Sequence, residues 1–213
     1  MVQQNVKPTR MELLKLKKKI VLAQKGHKLL KEKRDALFNE FFQNIKSSKQ
    51  LRSELEQGLE GTYEKYSFAK AQLGSLALAS FAEQSSFNSS LELDVGEKNI
   101  MGVRVPRISS KKVKREFNER GYGLLDSSAA VDEAAEGFEL ALEKVIALSE
   151  IESTIMRLAF EIDKTKRKVN ALEYNIIPSM KKTQKYIRFR LEEMEREKFF
   201  TLKKIKKKLQ KKN

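Results

Sequence analysis

Two stretches of this sequence place apolar residues at alternating steps of three and four, at opposite ends of the chain. The first runs from Leu13 through Leu16, Ile20, Ala23 and His27 to Leu51 and Leu55. The second runs from Val145 through Leu148, Ile155, Leu158 and Ile162 to Leu172 and Ile176. A mean step of 3.5 keeps one face of a slightly underwound helix on its partner, which is the seam of a left-handed coiled coil. Residues 84–128 lack this period. The pattern therefore predicts a mainly α fold: a long antiparallel two-helix coiled coil with a short β-hairpin and an irregular middle region. The expected segments are a long N-terminal helix within 1–82, a middle region at 83–128 and a C-terminal helix at 129–213, forming one structural unit.

The first helix is expected to start near Thr9, which can cap it, with Glu12 three residues on as in a capping box. The rhythm takes two consecutive steps of four at Leu51, Leu55 and Leu59, a stutter that locally unwinds a supercoil. It resumes at Thr62, Tyr66, Ala69, Leu73 and Leu76. The seam is impure: His27, Arg34, Asn44 and Ser48 stand where an ideal zipper has Leu or Ile, and such polar residues set register at a cost in stability. Gly26 weakens the helix by about 1 kcal/mol relative to Ala and leaves room for another backbone to approach. His27 is the sole histidine, so a multi-histidine metal site is impossible. It reads as a packed or hydrogen-bonded seam residue.

In the middle region Ser85, Ser86, Asn88, Ser89 and Ser90 form a polar break. Leu91, Leu93 and Val95 then alternate, as do Met101, Val103 and Val105, with Gly96-Glu97-Lys98-Asn99 between them. This predicts a β-hairpin at about 91–106 with a four-residue turn, ended by Pro106. A lone two-stranded hairpin is marginal in water and should pack on something. Lys111 to Arg120 is charged, and Gly121-Tyr122-Gly123 reads as a loop. Asp126 to Ser128 supply caps for the second helix, with Asp132 and Glu133 in its first turns. Pro178 lies inside the periodic run and removes one helix hydrogen bond. Because Met180, Ile187, Leu191 and Met194 continue the apolar face, a bend near Pro178 is expected and not an end.

Charged residues make up 34% of the 213 residues, with 9 Gly, 3 Pro and no Cys. That balance suits long solvated helices and rules out a disulfide framework or Cys-based metal site. The N-terminus reads as free of a signal peptide, and no apolar window is long enough to span a bilayer. The net charge of +15 is concentrated at the ends: Lys7 to Arg34 holds eleven Lys/Arg and two Glu, and Arg196 to Asn213 holds nine Lys/Arg and one Glu. An antiparallel hairpin brings both basic ends to one pole, where like charge requires salt or a partner to offset it. No phosphate-binding loop, nucleophile elbow or zinc-protease motif occurs. Glu192, Glu193, Glu195 and Glu197 sit among Arg and Lys at helical spacing, the pattern of an ion-paired helix face. The reading is of a protein that is not an enzyme and carries no cofactor. A basic coiled coil that binds nucleic acid, or a scaffold, is the alternative.

Two segments go beyond a generic coiled coil: MELLKLKKKIVLAQKGHKLLKEKRDALFNEF at 11–41, and KRKVNALEYNIIP at 166–178 leading to TQKYIRFRLEEMERE at 183–197. They resemble the D subunits of the V-type and archaeal A-type rotary ATPases and ATP synthases. The resemblance implies a central rotor shaft whose terminal helices sit inside a ring of catalytic A and nucleotide-binding B subunits. It implies a middle region that binds the small central-stalk F subunit and sits on the subunit coupled to the membrane rotor. It also implies a cytoplasmic place, peripheral to the membrane and without insertion. On that reading Arg10, Lys15, Arg188, Arg190 and Lys198 are expected to face the ring's bearing, while Gly26, His27 and Pro178 have structural roles. The Lys203 to Lys212 end matches no motif of the family.

Overall fold

A computed structural model describes residues 7–87, 91–110, 113–115, 120–123 and 127–210. Of the expected polar break, Ser85 and Ser86 are helical, while Asn88 to Ser90, the cap from Asp126 and most of the charged stretch 111–120 lie outside the described residues. Helix α1 spans Arg10–Phe87, strands β1 and β2 span Leu93–Ile100 and Val103–Ser110, and helix α2 spans Ala129–Asn170. A π-helical turn, Ala171–Ile176, joins α2 to helix α3, Ile177–Gln210. Within the chain two compact units are distinct, Met1–Ala36 with Ile162–Asn213 and Leu37–Glu161.

In the first unit α1 begins where its sequence says: the Glu12 N–H donates to Thr9 Oγ1 at 3.2 Å. The two helical segments run antiparallel, because Arg10 pairs with Glu195 and His27 with Glu173. Ile20, Ile162, Thr165, Val169 and Ile187 are buried along the seam. Burying a side chain the size of Ile187 stabilises the pair by about 2–3 kcal/mol.

The helix continues through Pro178, and the π turn explains how. Pro178 has no N–H, and in an ordinary α-helix its ring meets the carbonyl four residues back. Here the Ile177 N–H reaches Leu172 O, one residue further back than in an α-helix, while Ile177 keeps helical angles of φ −63° and ψ −45°. The extra residue also re-phases the apolar face. The expected seam residue Ile176 is 40% exposed, and the row instead steps from Leu172 to Ile177 and on to Met180, Ile187 and Leu191.

In the second unit α1 and α2 are again antiparallel, with Arg52 paired to Glu152 and Lys65 to Glu133. Leu55, Ala141 and Leu148 form one core cluster, with Leu51 and Leu59 packed on it. The stutter thus places three consecutive leucines on the same core. The helices come closest where Gly137 faces Thr62: a Cβ on Gly137 would lie 2.6 Å from Thr62 Oγ1. Thr62 is itself buried, and its hydroxyl donates to Gly58 O at 2.7 Å. Gly26, by contrast, has nothing within 4 Å of a Cβ position, so the close approach allowed for there is made at Gly137 instead.

Gly74 interrupts α1 with φ 79° and ψ 163°, a conformation open essentially to glycine alone. The interruption shifts the helix phase, and Leu76, expected on the seam, is 86% exposed while Leu78 is buried. Ala69, Leu78 and Val131 form the second core cluster, with Leu73, Phe81, Tyr122 and Ala130 against it.

The hairpin forms, but its turn is not at Gly96 to Asn99. Those residues lie within β1, and the strands close through the two-residue turn Met101-Gly102, with Ile100 opposite Val103. Both turn residues have positive φ, 50° and 85°, as a type I′ turn requires. The Asn99 side chain accepts the Gly102 N–H at 2.8 Å, which helps hold Met101 in that conformation. Pro106 does not end β2; it sits inside it opposite Glu97.

Candidate partner-binding surface

The basic end of the first unit carries the residues expected at a bearing. Arg10 pairs with Glu195, Lys15 with Glu12, Arg188 with Glu192 and Arg190 with Glu193. Lys198 makes no ion pair among the described residues. The hydrogen bond from Arg190 to Glu193 raises the guanidinium pKa further above its ordinary value. All four pairs are exposed, and such pairs contribute little to stability. Little free energy therefore holds these cations to their own helices, and an acidic partner can redirect them.

Beyond that cluster α3 becomes amphipathic with no described residue opposite it. Arg10, the first residue of α1, pairs with Glu195, so Arg196 to Gln210 runs past the start of α1. Phe199, Phe200, Leu202 and Leu209 are each more than 60% exposed in this stretch, and lysines 203, 204, 206, 207 and 208 surround them. Apolar side chains at helical spacing on an uncovered helix, rimmed by one sign of charge, mark an interaction surface.

The two motif segments meet in the first unit. His27 Nε2 lies 3.3 Å from Glu173 Oε2, so the only histidine tethers α1 to the π turn at the turn's own acidic residue. Tyr174 beside it is exposed, and no residue of the π turn is buried.

The second unit offers an apolar groove of about 310 Å³ beside the Gly74 break, lined by Tyr66, Ala69, Leu78, Phe81, Tyr122 and Phe138. Tyr63 and Tyr66 both pack edge-on against Phe138 and remain partly exposed. A polar network closes one side. Arg120, buried, donates to Glu139 at 3.2 Å and reaches Asp132 at 3.4 Å, and the Tyr122 hydroxyl donates to Asp132 at 2.7 Å. Burial, and then the hydrogen bond to the Asp132 carboxylate, pushes the Tyr122 pKa up to about 12. The sequence reading missed this network, because its members lie in an irregular loop and on the outer turns of a helix. The one visible signal was a tyrosine flanked by two glycines, of which Gly121 has φ 84°.

Among the described residues no group of three His, Cys, Asp or Glu is placed to hold a metal ion, and no helix is long and apolar enough to cross a membrane.

Comparison with known proteins agrees with this geometry. The family model for the ATP synthase D subunit matches residues 12–207. The chain is 52% identical over 201 residues to the D subunit of the A-type ATP synthase of Pyrococcus furiosus, covering 94% of this chain and 93% of that one. It is 49% identical over 206 residues to the D subunit of the A-type ATP synthase of Methanosarcina acetivorans, covering 97% and 98%. A match from the first turn of α1 to the last turn of α3 leaves one assignment: the chain belongs to the family of ATP synthase D subunits.

Proposed function

We propose that this chain is the non-catalytic central shaft of a rotary ATPase, transmitting torque between the ATP-handling ring of A and B subunits and the membrane rotor. The observation that carries the reading is the uncovered basic amphipathic end of α3, where Phe199, Leu202 and Leu209 are exposed among lysines. A ring that encloses such an end covers the apolar residues and meets the cations with acidic or carbonyl groups. In this reading Arg10, Lys15, Arg188, Arg190 and Lys198 line the bearing. The small F subunit covers the aromatic ridge of Tyr63, Tyr66 and Phe138, and a coupling subunit joins the middle region to the membrane rotor. The protein then works as one unit on the cytoplasmic side, peripheral to the membrane. A shaft must be asymmetric to hold identical sites in different states, and the π turn and the Gly74 break supply asymmetry.

The test is charge reversal of the five bearing residues to Glu in the reassembled complex. Weaker capture by the A/B ring and slower ATP hydrolysis are expected, with the chain's own helicity unchanged. Wild-type ring binding and turnover would refute the reading.

A further inference from the structure

We propose that the outer edge of β1 is a docking site for an extended strand of another protein, one that alternates apolar and basic residues and pairs with β1 through the backbone. The inference does not depend on the shaft reading.

The orientation of the edge follows from one hydrogen bond. The Ile108 N–H donates to Glu150 Oε2 on α2 at 3.0 Å and is therefore turned away from β1. It and its partner Val95 must then form a non-hydrogen-bonded antiparallel pair. Since the kinds alternate, Leu93, Val95, Glu97 and Asn99 all turn N–H and C=O outward. Two independent features agree. Pro106, which has no N–H, sits opposite Glu97 in an outward position. Ile100 and Val103 flank the two-residue turn as a hydrogen-bonded pair, which a type I′ turn requires.

The two edges of the hairpin are thus unlike. The β2 edge is met by Glu150 of α2, and Val103 and Val105 of β2 are buried. On β1 every residue except Ile100 is exposed. The residues with outward backbone groups carry exposed apolar side chains on the outer face: Leu93 is 45% exposed and Val95 64%. Native proteins protect free edges with Pro, bulges or charge; at these outward positions β1 has neither Pro nor bulge, and its one charged side chain there, Glu97, is tied to Arg104. Gly96, on the other face, has only Arg107 O within 4 Å of a Cβ position, so an incoming side chain finds room there.

Charge selects the occupant. In a chain of net charge +15, the segment 91–99 carries Glu92, Asp94 and Glu97 against a single Lys98, and of these Glu97 already pairs with Arg104 across the hairpin. The Asp94 carboxylate has no ion pair among the described residues. A second copy pairing β1 with β1 would set these carboxylates against one another, and like charges directly opposite in a sheet are destabilising. A strand with Lys or Arg beside Asp94 and apolar residues beside Leu93 and Val95 fits both requirements, and β-augmentation draws its affinity from the main chain and its specificity from such alternate side chains.

The test uses the full chain and a fluorescein-labelled ten-residue peptide of alternating valine and lysine, with alternating valine and glutamate as control. Anisotropy should show binding of the basic peptide alone, and amide exchange should slow at Leu93, Val95, Glu97 and Asn99. Val95→Pro deletes one outward N–H while the inward-bonded amides of Gly96 and Lys98 stay protected. It should weaken binding about tenfold, the effect of one lost backbone bond whose partner is left unsatisfied. Asp94→Lys, which leaves the backbone edge intact, should reverse the preference between the two peptides. Unchanged exchange at the four outward amides, binding indifferent to both substitutions, or a concentration-dependent β1-to-β1 dimer would each overturn the proposal.

Discussion

Replacing Gly137 by alanine should destabilise the second unit, although alanine is the better helix former. Without neighbours the exchange in mid-helix would gain about 1 kcal/mol. At Gly137 the new methyl would stand 2.6 Å from Thr62 Oγ1, 2.8 Å from its Cγ2 and 3.2 Å from its Cβ. Thr62 cannot swing away freely: it is β-branched, buried, and bonded through its hydroxyl to Gly58 O. Rotating it forfeits that bond, about 1 kcal/mol, and keeping it forces the helices apart, with overpacking costs of about 1–3 kcal/mol. The net expectation is a loss of about 1–2 kcal/mol. Gly58 and Gly61 provide internal controls, because nothing lies within 4 Å of a Cβ at either, so each alanine there should stabilise by up to about 1 kcal/mol. Urea unfolding followed by circular dichroism measures all three. Adding Thr62→Ala to Gly137→Ala should recover most of the loss, giving a coupling of about 1–2 kcal/mol in the double-mutant cycle. If Gly137→Ala raised the unfolding midpoint as Gly58→Ala does, the claim of a close crossing would be wrong.

Gly74→Ala places a Cβ on a backbone at φ 79°, ψ 163°, so a loss of about 1–3 kcal/mol, or a straightened helix with Leu76 newly protected in amide exchange, is expected; neither change would refute the break. Arg120→Met removes the cation beside partly buried Glu139 and should cost about 1–3 kcal/mol in urea unfolding, with the added Glu139→Gln recovering part of it. Tyr122 has a raised folded-state pKa, so its contribution is complete below pH 10 and is lost as pH rises towards about 12. Alkaline unfolding should therefore begin in that window, Tyr122→Phe should flatten the dependence there, and an ultraviolet titration should lose its latest phenolate step in that variant.

Much of the architecture could be read from the residues alone, and the failures have physical causes. The row from Leu13 to Leu55 holds because every turn between them is α-helical, so a periodic pattern maps directly onto one face. The same reasoning fails at Leu76, just after Gly74 with its positive φ, and at Ile176, the last residue of the π turn. A single glycine or one wide turn leaves apolar spacing almost intact while rotating everything downstream. The hairpin was legible from alternation, but its turn was placed at a four-residue polar run, whereas strand twist favours the shortest turn and Asn99 stabilises the positive φ at Met101. Arg10, Lys15, Arg188, Arg190 and Lys198 stand out in the sequence as part of a charge cluster, but the ion pairs that occupy four of them do not. The network of Arg120, Tyr122, Asp132 and Glu139 follows no period at all, because it joins a loop to a helix through side chains.

The five-residue step from Leu172 to Ile177 has an arithmetic consequence for length. Two rows of ordinary spacing lie along the second half of the chain, and the one extra residue makes them a continuous surface. Removing a residue inside Ala171–Ile176 would leave both rows in phase, at the cost of a normal turn in which the Pro178 ring meets the carbonyl four residues back. Removing a residue outside it would rotate every later side chain by about 100°, one residue's share of a 3.6-residue turn, and turn Ile187, Leu191 and Met194 towards water. Between α2 and α3, a one-residue deletion keeps the seam in phase only within this six-residue window. Among proteins sharing this seam, the π turn should reveal itself as a gap of a single position.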